Sequence, residues 1–377
     1  MATSRGGPGA RERGRNPGRG RLAEPSGSPR STAELARTAG IGAAVLLVLL
    51  AAGRLTAGGL DRVEAPAPPR TLTPGTTEPP PSPVISAIML RTGRHRIAFG
   101  AGTVWVANDS GTVNRIDPVA SIIGATIRVA SERAGLRGVA VGAGGVWVPV
   151  ANPGGLARID AGTNRVVTTI PLGRPLRDPV GVVTTEDAVW VTCCAYEVAG
   201  RRGGKLMRVD PATDEVTARI DLPEEPLAVA AGHEQVWVGT AQGGAIWVDA
   251  ARNRVVRVFR GGPQGGTQTV AVGSGSVWLA NPGDGSVARL DPSDPDRMEV
   301  IHLHATTLLA AGEGEMWAVA TNDQGVLRLD AADNVVRGGF PVSYVHSVQS
   351  IAYGDGSVWV AQGGSTLLRL DPELARP

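Results

Sequence analysis

Over most of its length the chain alternates apolar with polar or small residues in runs of five to eight, and Gly, Asn, Asp or Pro closes each run. RIAFG, TVWVAN, TVNRI and IIGATIRV, at Arg96–Gly100, Thr103–Asn108, Thr112–Ile116 and Ile122–Val129, form the first set of four. Runs of this length and period suit half-buried strands and are too short for helices. The set recurs, and each copy carries a tryptophan in its second run: Trp105, Trp147, Trp190, Trp237, Trp278, Trp317 and Trp359, separated by 42, 43, 47, 41, 39 and 42 residues. A repeat near 40 residues with four strands per copy predicts a β-propeller blade.

The two ends of the repeat predict how the ring closes. After Asp371 only six residues remain, so the seventh copy lacks its fourth strand. Val84–Leu90 (VISAIML) stands alone before the first copy and matches the fourth run of the second copy, Val166–Leu172 (VVTTIPL), position by position. This N-terminal strand is therefore expected to complete the last blade, giving an all-β, seven-bladed propeller with no open edge between its first and last blades.

Most of the repeated residues have structural explanations. In Val-Trp-Val the indole points opposite to its two neighbours, so the tryptophans are expected to fill the gaps between blades, where their large apolar area stabilises most. Gly-x-Gly, five and three residues before each Trp in most copies, reads as the turn from first to second strand, since Gly tolerates positive φ. It lies between two strands rather than before a helix, so it lacks the context of a phosphate loop. Arg115, Arg158, Arg208, Arg289, Arg328 and Arg369 form a column two residues before an Asp, broken in the fourth copy by Trp247. Asp117, Asp160, Asp210, Asp249, Asp291, Asp330 and Asp371 end the third strands, where a carboxylate accepts from the amides of the following turn.

Ahead of the propeller the composition changes. Residues 1–37 hold eight Arg against three Glu with abundant Gly, Pro and Ser, which predicts a disordered basic tail. Residues 38–60 begin with the uncharged TAGIGAAVLLVLLAAG and predict a transmembrane signal-anchor helix, with Arg54 snorkelling. The arginine excess before it places the tail in the cytoplasm and the propeller, residues 84–377, outside. Signal cleavage and secretion is the alternative. Residues 61–83, rich in Pro and Thr, suit an extended spacer. Without the tail, 29 basic residues (37 less 8) face 32 acidic ones (35 less 3), and nothing suggests a nucleic-acid groove.

The GxGxVWVA segments, with RhDPxT-like segments such as DPAT at Asp210–Thr213, resemble the YncE-type and virginiamycin B lyase-like seven-bladed propellers, and more loosely the NHL propellers, over Val84–Asp371. The Trp here is followed by Val, Leu or Ala and never by Asp, unlike WD40 blades. The resemblance implies the fold far more than a function, because one propeller fold hosts many activities. In the streptogramin-cleaving lyases a base His stands beside acidic magnesium ligands with a Glu-x-His element. None of the five His in this chain has a Glu two positions before it, so no catalytic residue and no metal ligand is assigned.

If first strands are innermost, the loops between second and third strands share one face with those between successive blades. That face carries a mixed polar set that includes Arg94, His95, Asp109, Arg137, Gln268 and His346. His95 and His346 fall in corresponding loops before blades 1 and 7, and a metal there would need a further ligand such as Asp109, with no ligand-spacing motif in support. The most unusual segment is CCAYEVAGRRGGK in the third copy. Cys193, Cys194, Tyr196, Glu197, Arg201, Arg202 and Lys205 there offer an aromatic group, both signs of charge and the two cysteines of the chain. In an oxidising compartment that pair forms either a vicinal disulfide or two reduced, partly buried thiols. Three readings follow: a membrane-anchored module that binds a ligand or protein through these residues, a metal-assisted lyase or hydrolase, and a sensor or scaffold for another membrane protein. No cofactor is implied.

Overall fold

The structure, a computed structural model, describes residues 82–375 apart from 174–178, 199–200, 233, 261–265, 295–296, 304–305, 322–324 and 343–346; for 194–198 and 201 it describes the backbone alone. The expected basic tail, the transmembrane helix and almost all of the spacer lie outside the described residues. Among the described residues no helix is long and apolar enough to cross a membrane.

Seven antiparallel four-stranded sheets follow one another along the chain. Blade 1 consists of His95–Gly100, Thr103–Asn108, Thr112–Asp117 and Ile122–Arg128, within a residue or so of the expected bounds. The first strand of every blade touches the first strands of both neighbouring blades, including the seventh against the first, so the first strands are innermost and the ring is closed. Closure uses the N-terminal strand as expected: Val84–Met89 pairs antiparallel with Thr366–Leu370, from Val84 opposite Leu370 to Met89 opposite Thr366. Leu90 has left the strand, yet its amide still donates to the Ser365 carbonyl at 2.6 Å.

All seven repeat tryptophans are at most 1% exposed. Each belongs to an apolar cluster with the residues that flank the next blade's tryptophan: Trp105 with Val146 and Val148, Trp190 with Val236 and Val238, and Trp359 with Val104 and Val106 across the closure. One motif thus serves both sides of every blade gap, because alternation sends Trp to one face of its sheet and its neighbours to the other. The arginine column caps these clusters. Arg158 lies 5.1 Å over the Trp147 ring and donates to the Pro211 carbonyl at 2.7 Å and to Asp214 at 2.9 Å, tying its own tryptophan to the next blade's outer turn. Arg115, Arg208, Arg289 and Arg369 cover Trp105, Trp190, Trp278 and Trp359 likewise. Where Trp247 breaks the column it stacks on Trp237 at 5.8 Å, so a ring replaces the cation.

The Asp residues act as turn-makers. Asp117 accepts from the amides of Val119 and Ala120, both at 2.9 Å, and the other six each accept from an amide of the turn that follows. At Asp160 the Thr163 amide and hydroxyl hold the carboxyl below its ordinary range. The glycine motif divides its work. Between Gly100 and Thr103 the turn residues Ala101 and Gly102 have φ of 50° and 68°, the paired positive values of a tight hairpin turn. The first glycine answers a different need: a Cβ on Gly100 would stand 2.6 Å from Cβ of Val141 in blade 2, so this residue is small because adjacent blades converge there.

Candidate functional site

The seven inner strands enclose a cavity of about 820 Å³ along the ring axis. Its wall falls into three sectors. Blades 3 and 4 present aliphatic side chains, among them Val180, Val182, Leu227 and Val229. Blades 5 to 7 add amides and hydroxyls, Gln268, Thr269, Thr307, Gln349 and Ser350, among the aliphatic Val270, Leu308 and Val348. Blades 1 and 2 contribute the only charged lining residues among those described, Arg96 and Arg137.

Local register decides which side chains reach this wall. In blades 3, 4, 6 and 7 the inner strand slips by one residue at its start, between Pro179 and Gly181, Pro226 and Ala228, Thr306 and Leu308, and Val348 and Ser350. The residues passed over, Val180, Leu227, Thr307 and Gln349, all line the cavity, as a bulge re-aims the side chain it leaves unpaired. Blade 1 has no slip: its pairs run unbroken from His95 opposite Asn108 to Gly100 opposite Thr103. Arg96 faces the cavity at the position held by Gly138, Gly181, Ala228, Thr269, Leu308 and Ser350 in the other blades, slipped or not. All seven stand nine residues before their tryptophan. One Arg among six small or uncharged residues was the signal in the sequence, and Arg96 was read only as a strand residue.

His95 corrects its sequence reading. It is not on a loop but begins the inner strand of blade 1, and it is 0% exposed. Its Nδ1 lies 2.8 Å from Oδ1 of Asn108, whose Nδ2 donates to Oδ1 of Asn114 at 2.6 Å and to the Thr112 carbonyl at 3.1 Å. An amide oxygen only accepts, so Nδ1 of His95 carries the proton and Nε2 is left as a buried acceptor with no hydrogen-bond partner. Burial pushes the imidazole pKa down, and this outweighs the Asn108 bond and the Asp109 charge, which raise it. Arg96 is a further lowering influence on the imidazole.

A histidine held neutral when folded but free to protonate when unfolded stabilises the fold fully above its ordinary pKa of about 6.5, and that contribution is lost as pH falls below it. Between pH 7.5 and 5.5 the melting temperature of the protein is accordingly expected to fall, and His95→Gln should show a smaller drop over the same interval. Equal drops would remove His95 as the cause. The carboxylates of Asp160, Asp249, Asp291 and Asp330 titrate below this window, since turn hydrogen bonds lower them from ordinary values near 3.8.

Asp109 follows the second strand of blade 1, and its amide donates to the Arg94 carbonyl at 3.1 Å. Arg96 is held below its ordinary pKa first by burial and then by the like charges of Arg94 and Arg137, with Asp109 opposing. The structure thus gathers Arg94, His95, Arg96, Asp109 and Arg137 at one end of the channel. His346, the proposed counterpart of His95, lies outside the described residues. Among the described residues no three His, Cys, Asp or Glu side chains are grouped as a metal site requires.

The CCAYEVAGRRGGK segment is not a loop but an extended hairpin. Strands Val189–Val198 and Arg201–Asp210 continue the blade, with Cys193 opposite Lys205 and, past a register shift, Tyr196 opposite Gly203 and Glu197 opposite Arg202. Cys193 is buried in the cluster that holds Trp147. Lys205 pairs with Asp221 across from it on the blade's own outer strand, and Arg202 reaches Glu225, at the entry of blade 4, at 3.5 Å. The side chains of Cys194, Tyr196, Glu197 and Arg201 lie outside the described residues. A second cavity of about 270 Å³, at the outer turns of blades 5 and 6, is lined by Arg289, Asp291, Arg297 and Glu299. Arg297 pairs with Glu299 at 3.0 Å and Asn334 bridges Glu299 to Arg289, which reads as blade-to-blade stapling.

No family model matches the chain, and no curated protein matches it in sequence. Solved structures do match. The β-propeller domain of Myceliophteria thermophila Cps50 (Swd1) superposes with a TM-score of 0.61 at 10% identity, covering 77% of this chain and 99% of that one. Kuenenia stuttgartiensis hydrazine synthase does so with a TM-score of 0.58 at 13% identity, covering 74% and 96%. Likeness at such identities shows the β-propeller fold alone.

Proposed function

We propose that this chain is a membrane-anchored, extracytoplasmic β-propeller that binds a small molecule in its central channel, with the blade 3 hairpin contributing to the rim. The observation that carries the reading is the wall of the 820 Å³ cavity, aliphatic all round, most fully in blades 3 and 4, and set with polar groups from the other five blades. Its volume falls within the range of small-molecule sites, roughly 300 to 1,000 Å³. The apolar segment and arginine bias near the N-terminus support the anchor and its orientation. The YncE-type resemblance agrees with such a binding propeller and names no ligand.

Native mass spectrometry of the purified full chain, incubated with a small-molecule extract of the cells that make it, tests the reading. The wild type is expected to retain a small molecule that Ala228→Trp, which fills the channel from blade 4, does not. A mass retained equally by both, or by neither while both stay folded, would sink channel binding and send the search to protein partners. Protease added to intact cells should remove a C-terminal tag and spare an N-terminal one, and the opposite pattern would overturn the orientation. The metal-assisted lyase reading has less support, because His95, its candidate base, is buried with Nδ1 committed to Asn108.

A further inference from the structure

We infer that the channel takes a small organic anion, a carboxylate or phosphate ester with an apolar body, whose charged end is held by Arg96. The inference rests on the channel-binding reading above and adds the chemistry of the ligand.

The inner ring holds seven equivalent positions, and Arg96 is the single charged one. A guanidinium offers five N–H donors in a planar fork. Arg96 spends one of them, from Nη1 to the His95 carbonyl at 3.0 Å, and no carboxylate among the described residues stands within ion-pairing distance of it. Arg137 adds a second positive charge to the same wall, and among the described residues no Asp or Glu lines the cavity. Asp109 acts on Arg96 only through space. A partly buried cation with most of its donors unspent, beside like charges, is stabilised by an anion that brings two oxygens to its fork.

The rest of the wall defines the remainder of the ligand. Val180, Val182, Leu227 and Val229 across the channel would pack an apolar body, whereas Gln268 provides a neutral amide and Gln349, whose Oε1 accepts from the His95 amide at 2.7 Å, a second amide nitrogen. A cationic ligand would meet two arginines. A nucleic-acid strand would need a longer basic track than two arginines supply.

Isothermal titration of the purified full chain at low ionic strength, with phenyl phosphate, benzoate, benzyl alcohol, benzylamine and inorganic phosphate as probes, tests this. Phenyl phosphate and benzoate are expected to bind, and benzyl alcohol and benzylamine to bind at least about tenfold more weakly, as follows from losing a charge-assisted pair. Arg96→Gln should weaken both anions about 10- to 100-fold, and Arg96→Lys, which keeps the charge and loses the fork, should fall between. Should Arg96→Gln not fold, Arg96→Lys decides by the same comparison. Benzyl alcohol binding as tightly as benzoate, or anion binding unchanged in either variant, would overturn the anion while leaving channel binding intact if Ala228→Trp still blocks the probes. Inorganic phosphate binding as tightly as phenyl phosphate would overturn the apolar body. No heat from any probe would overturn the inference, and the mass-spectrometric comparison judges channel binding separately.

Discussion

Deletion of Val84–Met89 from the full chain is expected to remove most of the stability of the propeller and to leave an aggregation-prone product. The strand supplies the fourth position of the last blade, so its loss turns Thr366–Leu370 into an unpaired edge. It also takes Ile88 out of the cluster that carries Trp359 and the blade 1 valines and frees Leu90 next to it; both are 7% exposed in the closed ring. Burial of two such side chains stabilises by about 3 to 6 kcal/mol, and the ladder bonds contribute about 0.5 to 1.5 kcal/mol each. That approaches the whole of a domain's net stability, about 5 to 15 kcal/mol. Thermal unfolding followed by circular dichroism, with size-exclusion chromatography for the state of association, gives the readout. A deleted chain that stays monomeric and melts within a few degrees of the wild type would show that the ring holds without its closing strand.

Trp147→Ala is expected to be the most damaging of the simple point substitutions, with a loss of about 3 to 5 kcal/mol. The side chain is fully buried against Val189, Val191, Met207 and Val209 of blade 3, so truncation opens a void in the gap between two blades. Its Nε1 donates to the Gly142 carbonyl at 3.0 Å, and that bond is lost. Arg158 loses the ring beneath it while keeping its bonds to Pro211 and Asp214. In a domain of this size each kcal/mol lowers the melting temperature by about 2 to 4 °C, so a drop near 10 °C is expected. Trp147→Phe keeps much of the apolar contact and should fall well short of that. A drop under about 3 °C for the alanine variant would mean that the blade gaps tolerate voids and that the repeat's tryptophan has some other role.

The two expectations rest on features that were legible in different ways. Trp147 was assigned to the blade gap from alternation alone, and its cluster with the Val-Trp-Val neighbours of the next blade is what alternation implies. The closing strand was legible because the seventh copy was one strand short while Val84–Leu90 had no blade of its own. The Gly-x-Gly motif was half legible. Its second glycine follows from turn geometry, whereas the first is small because Val141 of the next blade stands against Gly100, a contact between residues 41 positions apart. His95 was misplaced because a polar residue two positions after Gly93 reads as loop, and only the pairing with Asn108 shows it entering the strand and becoming buried.

By itself, then, the sequence determined the number of blades, the strands within them, the turns and the packing column. Those properties are periodic and local: alternation, turn residues and a tryptophan once per repeat are each set within a few neighbours. Only the tertiary structure decided which side chains reach the axis. Four inner strands slip by one residue at their start and so add Val180, Leu227, Thr307 and Gln349 to the wall, whereas blade 1 does not slip. The gathering of Arg94, Arg96, Arg137 and Asp109 at one end of the channel likewise depends on how two neighbouring blades converge, which no single repeat encodes.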